Sequence, residues 1–288
     1  METTFWTYAA GVNRWVLYAT ALLAVGSAIF LISIRSASSG RVVAISTGTF
    51  SCAVAGLTFI LAIGLGGADM LAGPLSILLT SEVWSLGFDN TLGRSGLLGV
   101  LAAALLLVGF KTQRLPLLML GIAGLVGSFL LTGHAAAVKP VWLMQTMVAV
   151  HMAVAGFWFG ALMPLYRVAR TDPPAQAGAV MVEFSRLAIW LVALLAASGA
   201  VMSYVQLKRP AALFTSDYGS RLIAKLALFG LLLGLAAYNK LKLTPRLTAG
   251  DEEGAGLLRR SILWEYALFV GILGVATLLG MSAPPRAG

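Results

Sequence analysis

Residues 141–166 have the sequence VWLMQTMVAVHMAVAGFWFGALMPLY, a stretch without aspartate, glutamate, lysine or arginine. As an α-helix this stretch is about 39 Å long at 1.5 Å per residue, whereas the hydrocarbon core of a bilayer is about 30 Å thick. A histidine, His151, lies near its middle. The stretch therefore predicts a helix that crosses a membrane and carries an imidazole within it.

The rest of the chain has the same character. Hydrophobic residues make up 59% of the 288 residues and charged residues only 11%, whereas about a quarter of a soluble domain is charged. The long apolar runs lack the alternation of a membrane barrel, so we predict an all-α fold, a polytopic transmembrane helical bundle that forms a single integral membrane domain over residues 1–288. About eight spans are expected, at 13–34, 43–67, 94–110, 115–134, 141–166, 184–206, 220–241 and 260–281, with the first four in 1–134 and the last four in 135–288.

The positions of the basic residues predict the orientation of these spans. Twelve of the 20 lysines and arginines lie in or beside the odd-numbered connections, and eight lie on the opposite side. Basic residues favour the cytoplasmic side, so both termini are expected outside. The net charge of +9 is thereby explained by membrane topology, and the basic residues do not indicate nucleic-acid binding.

Both histidines of the chain fall near one place in this topology. His134 ends the fourth predicted span and His151 lies in the fifth, so both are expected in the outer half of adjacent antiparallel helices. Met144 and Met147 share a helix face with His151 at i, i+3 and i+7. Imidazole and thioether groups suit copper, particularly Cu(I). These four residues are therefore the predicted metal ligands.

Two histidines on neighbouring helices also fit a second function. They are able to ligate one b-type haem, which would make the chain a membrane electron carrier or a metal reductase. Elsewhere in the spans, Glu265 is expected to pair with Arg259 or Arg260 on its own helix face. Alternatively, Asn239 and Glu265 form the inner exit of a permeation path.

Several motifs of catalytic proteins are missing from the sequence. It contains no phosphate-binding loop Gly-x4-Gly-Lys-Ser/Thr, no His-Glu-x-x-His zinc helix and no Gly-x-Ser-x-Gly nucleophile elbow. The chain has one cysteine, Cys52, so neither a disulfide framework nor a Cys-x-x-Cys metal site is available within it. We therefore expect that the protein is not an enzyme.

The second half of the chain, over about residues 130–285, contains a set of short pieces in a fixed order. These are Gly133-His134-Ala135-Ala136, His151-x4-Gly156-x-Trp158-x-Gly160-Ala161-Leu162-x-Pro164, Phe184-Ser185-Arg186, Ser198-Gly199, Asp217-Tyr218-Gly219-x2-Leu222-x2-Lys225, Asn239-x5-Pro245, Leu258-Arg259-Arg260-Ser261-x3-Glu265 and Pro284-Pro285. In their order and spacing these pieces resemble the copper resistance D (CopD/PcoD) family.

The resemblance implies a function and a location. Members of that family are bacterial inner-membrane proteins that take up or handle copper, commonly beside a periplasmic copper-binding partner of the CopC type. It also implies that His134 and His151 match family histidines, whereas Met144 and Met147 rest on helical spacing alone. The expected protein is thus a multi-pass inner (plasma) membrane protein, with periplasmic termini, that accepts Cu(I) or Cu(II) outside and imports it. A scaffold or sensor that binds copper without transporting it is a third possibility.

Overall fold

The computed structural model describes residues 5–133, 136, 138–207, 209 and 211–282, and every regular element within these ranges is helical. The predicted all-α fold is thus confirmed. A 3-10 turn at Leu75–Leu79 precedes α3, and a π-helical turn at Asn239–Leu243 joins α9 to α10. In chain order the helices are α1 (Phe5–Ser33), α2 (Ser38–Leu71), α3 (Ser81–Phe88), α4 (Thr91–Thr112), α5 (Leu115–Leu130), α6 (Val141–Thr171), α7 (Pro174–Leu207), α8 (Ala212–Thr215), α9 (Asp217–Tyr238), α10 (Thr244–Thr248) and α11 (Glu252–Gly280).

In the described part of the chain, seven helical segments are long and apolar enough to cross a bilayer, as expected of a multi-pass membrane protein embedded in lipid. Six of them are α1, α2, α4, α6, α7 and α11, and the seventh is Asp217–Thr248, which runs through α9, the π-helical turn and α10. Helix α5 has 16 residues, or about 24 Å, and is shorter than the hydrocarbon core. An eighth crossing and the orientation of the termini therefore stay predictions.

Helices α6 and α7 extend beyond the predicted spans 141–166 and 184–206. Helix α6 continues through Arg167 and Arg170 to Thr171, and α7 begins at Pro174. Hydropathy marks only the part of a helix that lies in hydrocarbon, whereas arginine and alanine favour helix in water as well. Proline suits the first position of α7, because an N–H there would have no partner within the helix.

Two compact units are interleaved along the chain. One comprises Met1–Ala21 and Thr49–Ala149, and the other comprises Leu22–Gly48 and Val150–Gly288. Helices α1, α2 and α6 each contribute residues to both units. Neither unit therefore coincides with the predicted first or last four spans, and the division into four spans plus four stays a prediction.

In the first unit, α4 and α5 form a helical hairpin. Gln113, between the two helices, adopts a left-handed conformation with φ of 54°. The Ser95 hydroxyl of α4 donates to the Ser128 carbonyl of α5 over 2.7 Å. A Cβ atom at Gly121 would lie 2.8 Å from the Cα atom of Leu106. Small residues thus allow the two helices to approach closely, as is common in membranes.

In the second unit, the end of α1 packs against α6 through glycine residues. A Cβ atom at Gly26 would collide with the carbonyl oxygen of Gly156 and would lie 2.9 Å from the Cα atom of Gly160. The backbones of the two helices therefore touch at this crossing. This contact fixes the position of α6 in the unit that contains His151.

Aromatic rings fix the rotation of α6 against its other neighbours in the second unit. The Phe159 ring stacks on the Phe269 ring of α11 with 5.1 Å between centroids, and Trp158 packs edge-on against Phe269 at 5.7 Å. Phe157 packs on Phe184 of α7 at 5.5 Å. Consecutive residues of α6 thus contact two different helices, and Trp158 is directed toward α11.

Candidate metal site and buried carboxyl site

His151 is half-buried on α6 and has a hydroxyl partner on α7. Its Nδ1 atom lies 3.1 Å from Ser198 Oγ, which also lies 3.0 Å from the Leu195 carbonyl oxygen. A serine hydroxyl has one proton, and the carbonyl can only accept it. The hydrogen-bond pattern therefore assigns the proton on the histidine ring to Nδ1 and leaves the Nε2 lone pair available as a ligand.

Two other residues of the second unit lie near the His151 ring. A Cβ atom at Gly199 of α7 would lie 3.5 Å from His151 Cε1, an ordinary van der Waals contact. Lys225 of α9 acts electrostatically on the ring. The ring is therefore held between a hydroxyl group and a small residue, with a basic side chain in electrostatic range.

The predicted methionine ligands differ in their surroundings. Met144 is fully buried, whereas Met147 is half-buried, and both belong to the first unit. Along the continuous helix α6, Met147 lies one turn before His151, and Met144 lies seven residues before it, or about 10 Å along the axis. Met147 is therefore the methionine nearer to His151 along α6.

The remaining predicted ligand, His134, lies outside the described residues. In the first unit, Gln145 Nε2 of α6 donates to the carbonyl oxygen of Leu130, the last residue of α5, over 3.2 Å. Among the residues that the structure describes, no group of three or more histidine, cysteine, aspartate or glutamate residues is placed to hold a metal ion. The four predicted ligands therefore stay predictions.

Glu265 of α11 forms a second polar site that the sequence analysis interpreted differently. Its side chain is 4% exposed. Trp158 Nε1 donates to Oε2 over 3.1 Å, and Asn239 Nδ2 donates to Oε1. The predicted pairing of Glu265 with Arg259 or Arg260 is wrong, because Arg259 instead donates to the Ala169 carbonyl oxygen over 3.2 Å and Arg260 is exposed. Both salt bridges that occur in the described ranges belong to Arg246.

The π-helical turn presents Asn239 to this carboxyl group. Asn239 is the first residue of the turn and is 9% exposed. Its carbonyl oxygen accepts a hydrogen bond from the Thr244 backbone N–H and another, of 3.0 Å, from the Thr244 hydroxyl. A π-helical turn accommodates one extra residue within a helix and occurs frequently at functional sites. Here the turn lies where the chain places an amide beside a buried acid.

A cavity of about 280 Å³ adjoins the buried carboxyl group. Glu265, Asn239 and Trp158 line it, as do Lys240 and the thioether of Met181. The remaining walls are mainly apolar side chains of α6, α7, α9 and α11. A buried acid in an apolar cavity with a few converging polar groups is typical of a functional pocket. No spacing rule for residues on one helix relates Glu265 to Trp158, so the sequence alone does not reveal this contact.

Comparison with known proteins gives two matches. The family model described as "Copper resistance protein D" matches residues 178–279. A relative from Pseudomonas syringae pv. tomato, described as "Copper resistance protein D", is 29% identical over 300 residues, which cover 94% of this chain and 95% of that protein. No solved structure gives a significant match.

These matches cover the two polar sites to different extents. Ser198, Asn239 and Glu265 lie within the stretch that the family model matches, whereas His151 precedes it. The similarity to the Pseudomonas relative extends over almost the whole chain. The resemblance seen in the sequence is thereby confirmed: the chain is similar to copper resistance protein D, through the family model over residues 178–279 and through the Pseudomonas relative over 94% of its length.

Proposed function

We propose that this chain is a bacterial inner-membrane protein that accepts copper on the periplasmic side and imports it. The single observation that carries the copper site is the bond between His151 and Ser198. A hydrogen bond at Nδ1 orients the ring and leaves Nε2 as the ligand atom, an arrangement that is usual for metal-binding histidines. The family description, which names copper resistance, supports copper as the metal.

His151 is proposed to belong, with His134, Met147 and Met144, to a set of ligands that bind the ion in succession. Imidazole nitrogen binds copper in both oxidation states, and thioether sulfur favours Cu(I). Met144 and Met147 lie on the same helix as His151 at two spacings, so they offer successive ligands along α6 rather than one shell. Exchange of the ion between such ligands moves it without a chemical reaction on a substrate. We therefore propose a transport role and no enzymatic reaction.

A periplasmic copper-binding protein of the CopC type is the proposed donor of the ion. With both termini in the periplasm, the segment between α2 and α4 faces the same side. This segment contains the short helix α3 and the exposed side chains of Leu79 and Phe88. Exposed apolar residues beside a membrane surface suit contact with lipid headgroups or with such a donor.

Metal and haem analysis of the purified protein tests this function. We expect bound copper in the unsubstituted protein, much less copper after His151→Ala or His134→Ala, and no Soret band from haem. Met119→Leu is the matched control, because Met119 is 54% exposed on α5. Proteoliposomes loaded with a Cu(I) indicator then measure uptake. Unchanged copper content in both histidine variants would refute the site, and binding without flux would indicate a scaffold.

A further inference from the structure

The carboxyl group of Glu265 has neutral hydrogen-bond donors and no ionic partner among the described residues. Trp158 and Asn239 each donate to one of its oxygen atoms. Helix α11 is one of the segments that are long and apolar enough to cross the membrane. A carboxylate in such a place is costly without a counter-charge. The same group as a carboxylic acid carries no charge and avoids this cost. Because the two donors stabilise the carboxylate and the apolar surroundings favour the acid, this site is suited to both protonation states.

Two buried oxygen atoms near this carboxyl group have no hydrogen-bond partner in the described part of the chain. They are Asn239 Oδ1 and Ser261 Oγ. Asn239 also lines the cavity, and Ser261 is 6% exposed and lies one helical turn before Glu265 on α11. Burying a polar atom without a partner is costly. Such atoms therefore indicate that the site receives a further donor.

The Asn239 amide is able to serve either state of the carboxyl group. Its Nδ2 atom donates to a carboxylate oxygen in the arrangement described above. After the amide rotates by half a turn, its Oδ1 atom accepts a hydrogen bond from the O–H of a carboxylic acid. Trp158 Nε1 remains a donor to the other carboxyl oxygen in both states. The partners of Glu265 thus permit a proton to arrive or leave without loss of both hydrogen bonds.

The cavity leaves room for water beside this carboxyl group. Its volume of about 280 Å³ is many times larger than the roughly 10–15 Å³ that a cavity needs to hold one water molecule. We propose that Glu265 and Asn239 form a proton-binding site within the membrane. The carboxylate takes a proton from a hydronium ion in the cavity and releases a water molecule, and the reverse step returns the proton.

A metal cation fits this site less well than a proton does. Calcium binds six to eight oxygen ligands, usually with several carboxylates, whereas Glu265 is the one carboxylate that lines the cavity. The Met181 thioether is the lining group that suits copper, and it lacks an imidazole or thiolate beside it in the cavity wall.

The charged and titratable neighbours of Glu265 are few. Lys240, in the π-helical turn, lines its cavity, whereas α6 and α7 contribute neutral side chains to that cavity. On α11 itself, Arg259 bonds to the Ala169 carbonyl oxygen, Arg260 is exposed, and Tyr266 packs on Phe159. The protonation state of Glu265 is therefore expected to respond to Lys240 more than to any other charged side chain described.

Infrared spectroscopy of metal-free protein in lipid nanodiscs tests the proton site. We expect a carboxylic-acid C=O band that appears as the pH is lowered, disappears as it is raised, and shifts in D₂O. Glu265→Gln removes this band. Glu183→Gln is the matched control, because Glu183 is a hydrogen-bonded carboxyl group on α7, and this variant retains the band. A band that is identical in the unsubstituted protein and in Glu265→Gln would overturn the proposal, as would one that ignores pH.

Further variants keep the test decisive if Glu265→Gln does not fold. Trp158→Phe and Asn239→Leu each keep the acid but remove one of its partners, so the same band is expected at a higher frequency. If the band has the same frequency in both variants as in the unsubstituted protein, its assignment to Glu265 is overturned. Adding Cu(I) or Na⁺ at fixed pH is expected to leave the band in place. Loss of the band, together with lower metal content in Glu265→Gln, would make Glu265 a metal ligand instead. None of these measurements requires copper binding, so the site is tested even if the copper function fails.

Discussion

At the scale of single residues, the copper proposal depends most on Ser198. Replacing Ser198 with alanine removes the acceptor of the His151 Nδ1–H group and frees the ring to rotate. Loss of such an orienting partner typically weakens metal binding 10–100-fold, and we expect a weakening of about 10-fold here. Competition with a Cu(I) chelator measures it. Ser203→Ala is the control, because its hydroxyl bonds to the Gly199 carbonyl of its own helix. Equal affinity in both variants would show that Ser198 does not position the ligand.

The role of methionine is tested at Met147. Leucine has a similar volume, so Met147→Leu is expected to cost less than about 1.5 kcal/mol in folding stability while removing a thioether. Because thioethers favour Cu(I) over Cu(II), the variant should bind Cu(I) more weakly and Cu(II) almost as well as the unsubstituted protein. Met119→Leu, an exposed position on α5, should change neither affinity. An equal loss of affinity for Cu(I) and Cu(II) would argue that the substitution disturbs the helix and removes no ligand.

At the scale of helices, the crossing of α1 and α6 depends on glycine. Gly26→Ala places a methyl group against the backbone of Gly156, and overpacking of this kind costs about 1–3 kcal/mol. We expect a lower Tm in detergent and weaker copper binding, because α6 carries His151. Gly56→Ala on α2 is the matched control, since a Cβ atom there would meet no neighbouring atom of the described residues within 4 Å. A Tm for Gly26→Ala equal to that of Gly56→Ala would contradict the close crossing.

The start of α11 is stabilised by a cap whose strength depends on pH. Asp251 accepts hydrogen bonds from the Glu253 and Gly254 backbone N–H groups and from Arg246. The hydrogen bond from Arg246 holds the pKa of Asp251 below its ordinary value of 3.8. Its stabilising effect is therefore complete above about pH 4 and is lost as the pH falls through the pKa of the folded state. We expect Asp251→Asn to have a lower Tm than the unsubstituted protein at pH 7. At strongly acidic pH this difference in Tm should be smaller. A constant difference would argue against this linkage.

The helices themselves were predictable, but their contacts were not. Runs such as 141–166 indicate helices, because only apolar segments of that length suit a bilayer. The ends of α6 and α7 were missed, since polar residues continue a helix beyond the hydrocarbon without any hydropathy signal. Trp158 and Glu265 are 107 residues apart, and periodicity relates only residues on one helix. The sequence therefore suggested an arginine partner for Glu265 where packing provides Trp158 and Asn239.

At the scale of the whole molecule, the proposed copper import and the proposed proton site together predict coupled movement of the two ions. Each Cu⁺ that enters a closed vesicle carries a positive charge inward, so uptake alone makes the interior positive and opposes further entry by about 2.3 kcal/mol per charge per 100 mV. A proton that leaves through Glu265 prevents this build-up of charge. We expect the interior of proteoliposomes, followed with a pH-sensitive dye, to become more alkaline during copper uptake.

Glu265→Gln should separate the two movements. Its glutamine cannot exchange a proton, so uptake should become slow and leave the internal pH unchanged. Valinomycin with potassium, which compensates the charge by another route, should then restore the rate. Glu183→Gln, whose carboxyl group lies outside the cavity, should behave like the unsubstituted protein. If vesicles with Glu265→Gln take up copper and become alkaline inside as fast as vesicles with the unsubstituted protein, the compensating charge crosses the membrane elsewhere. In that outcome proton exchange at Glu265 is not coupled to copper uptake.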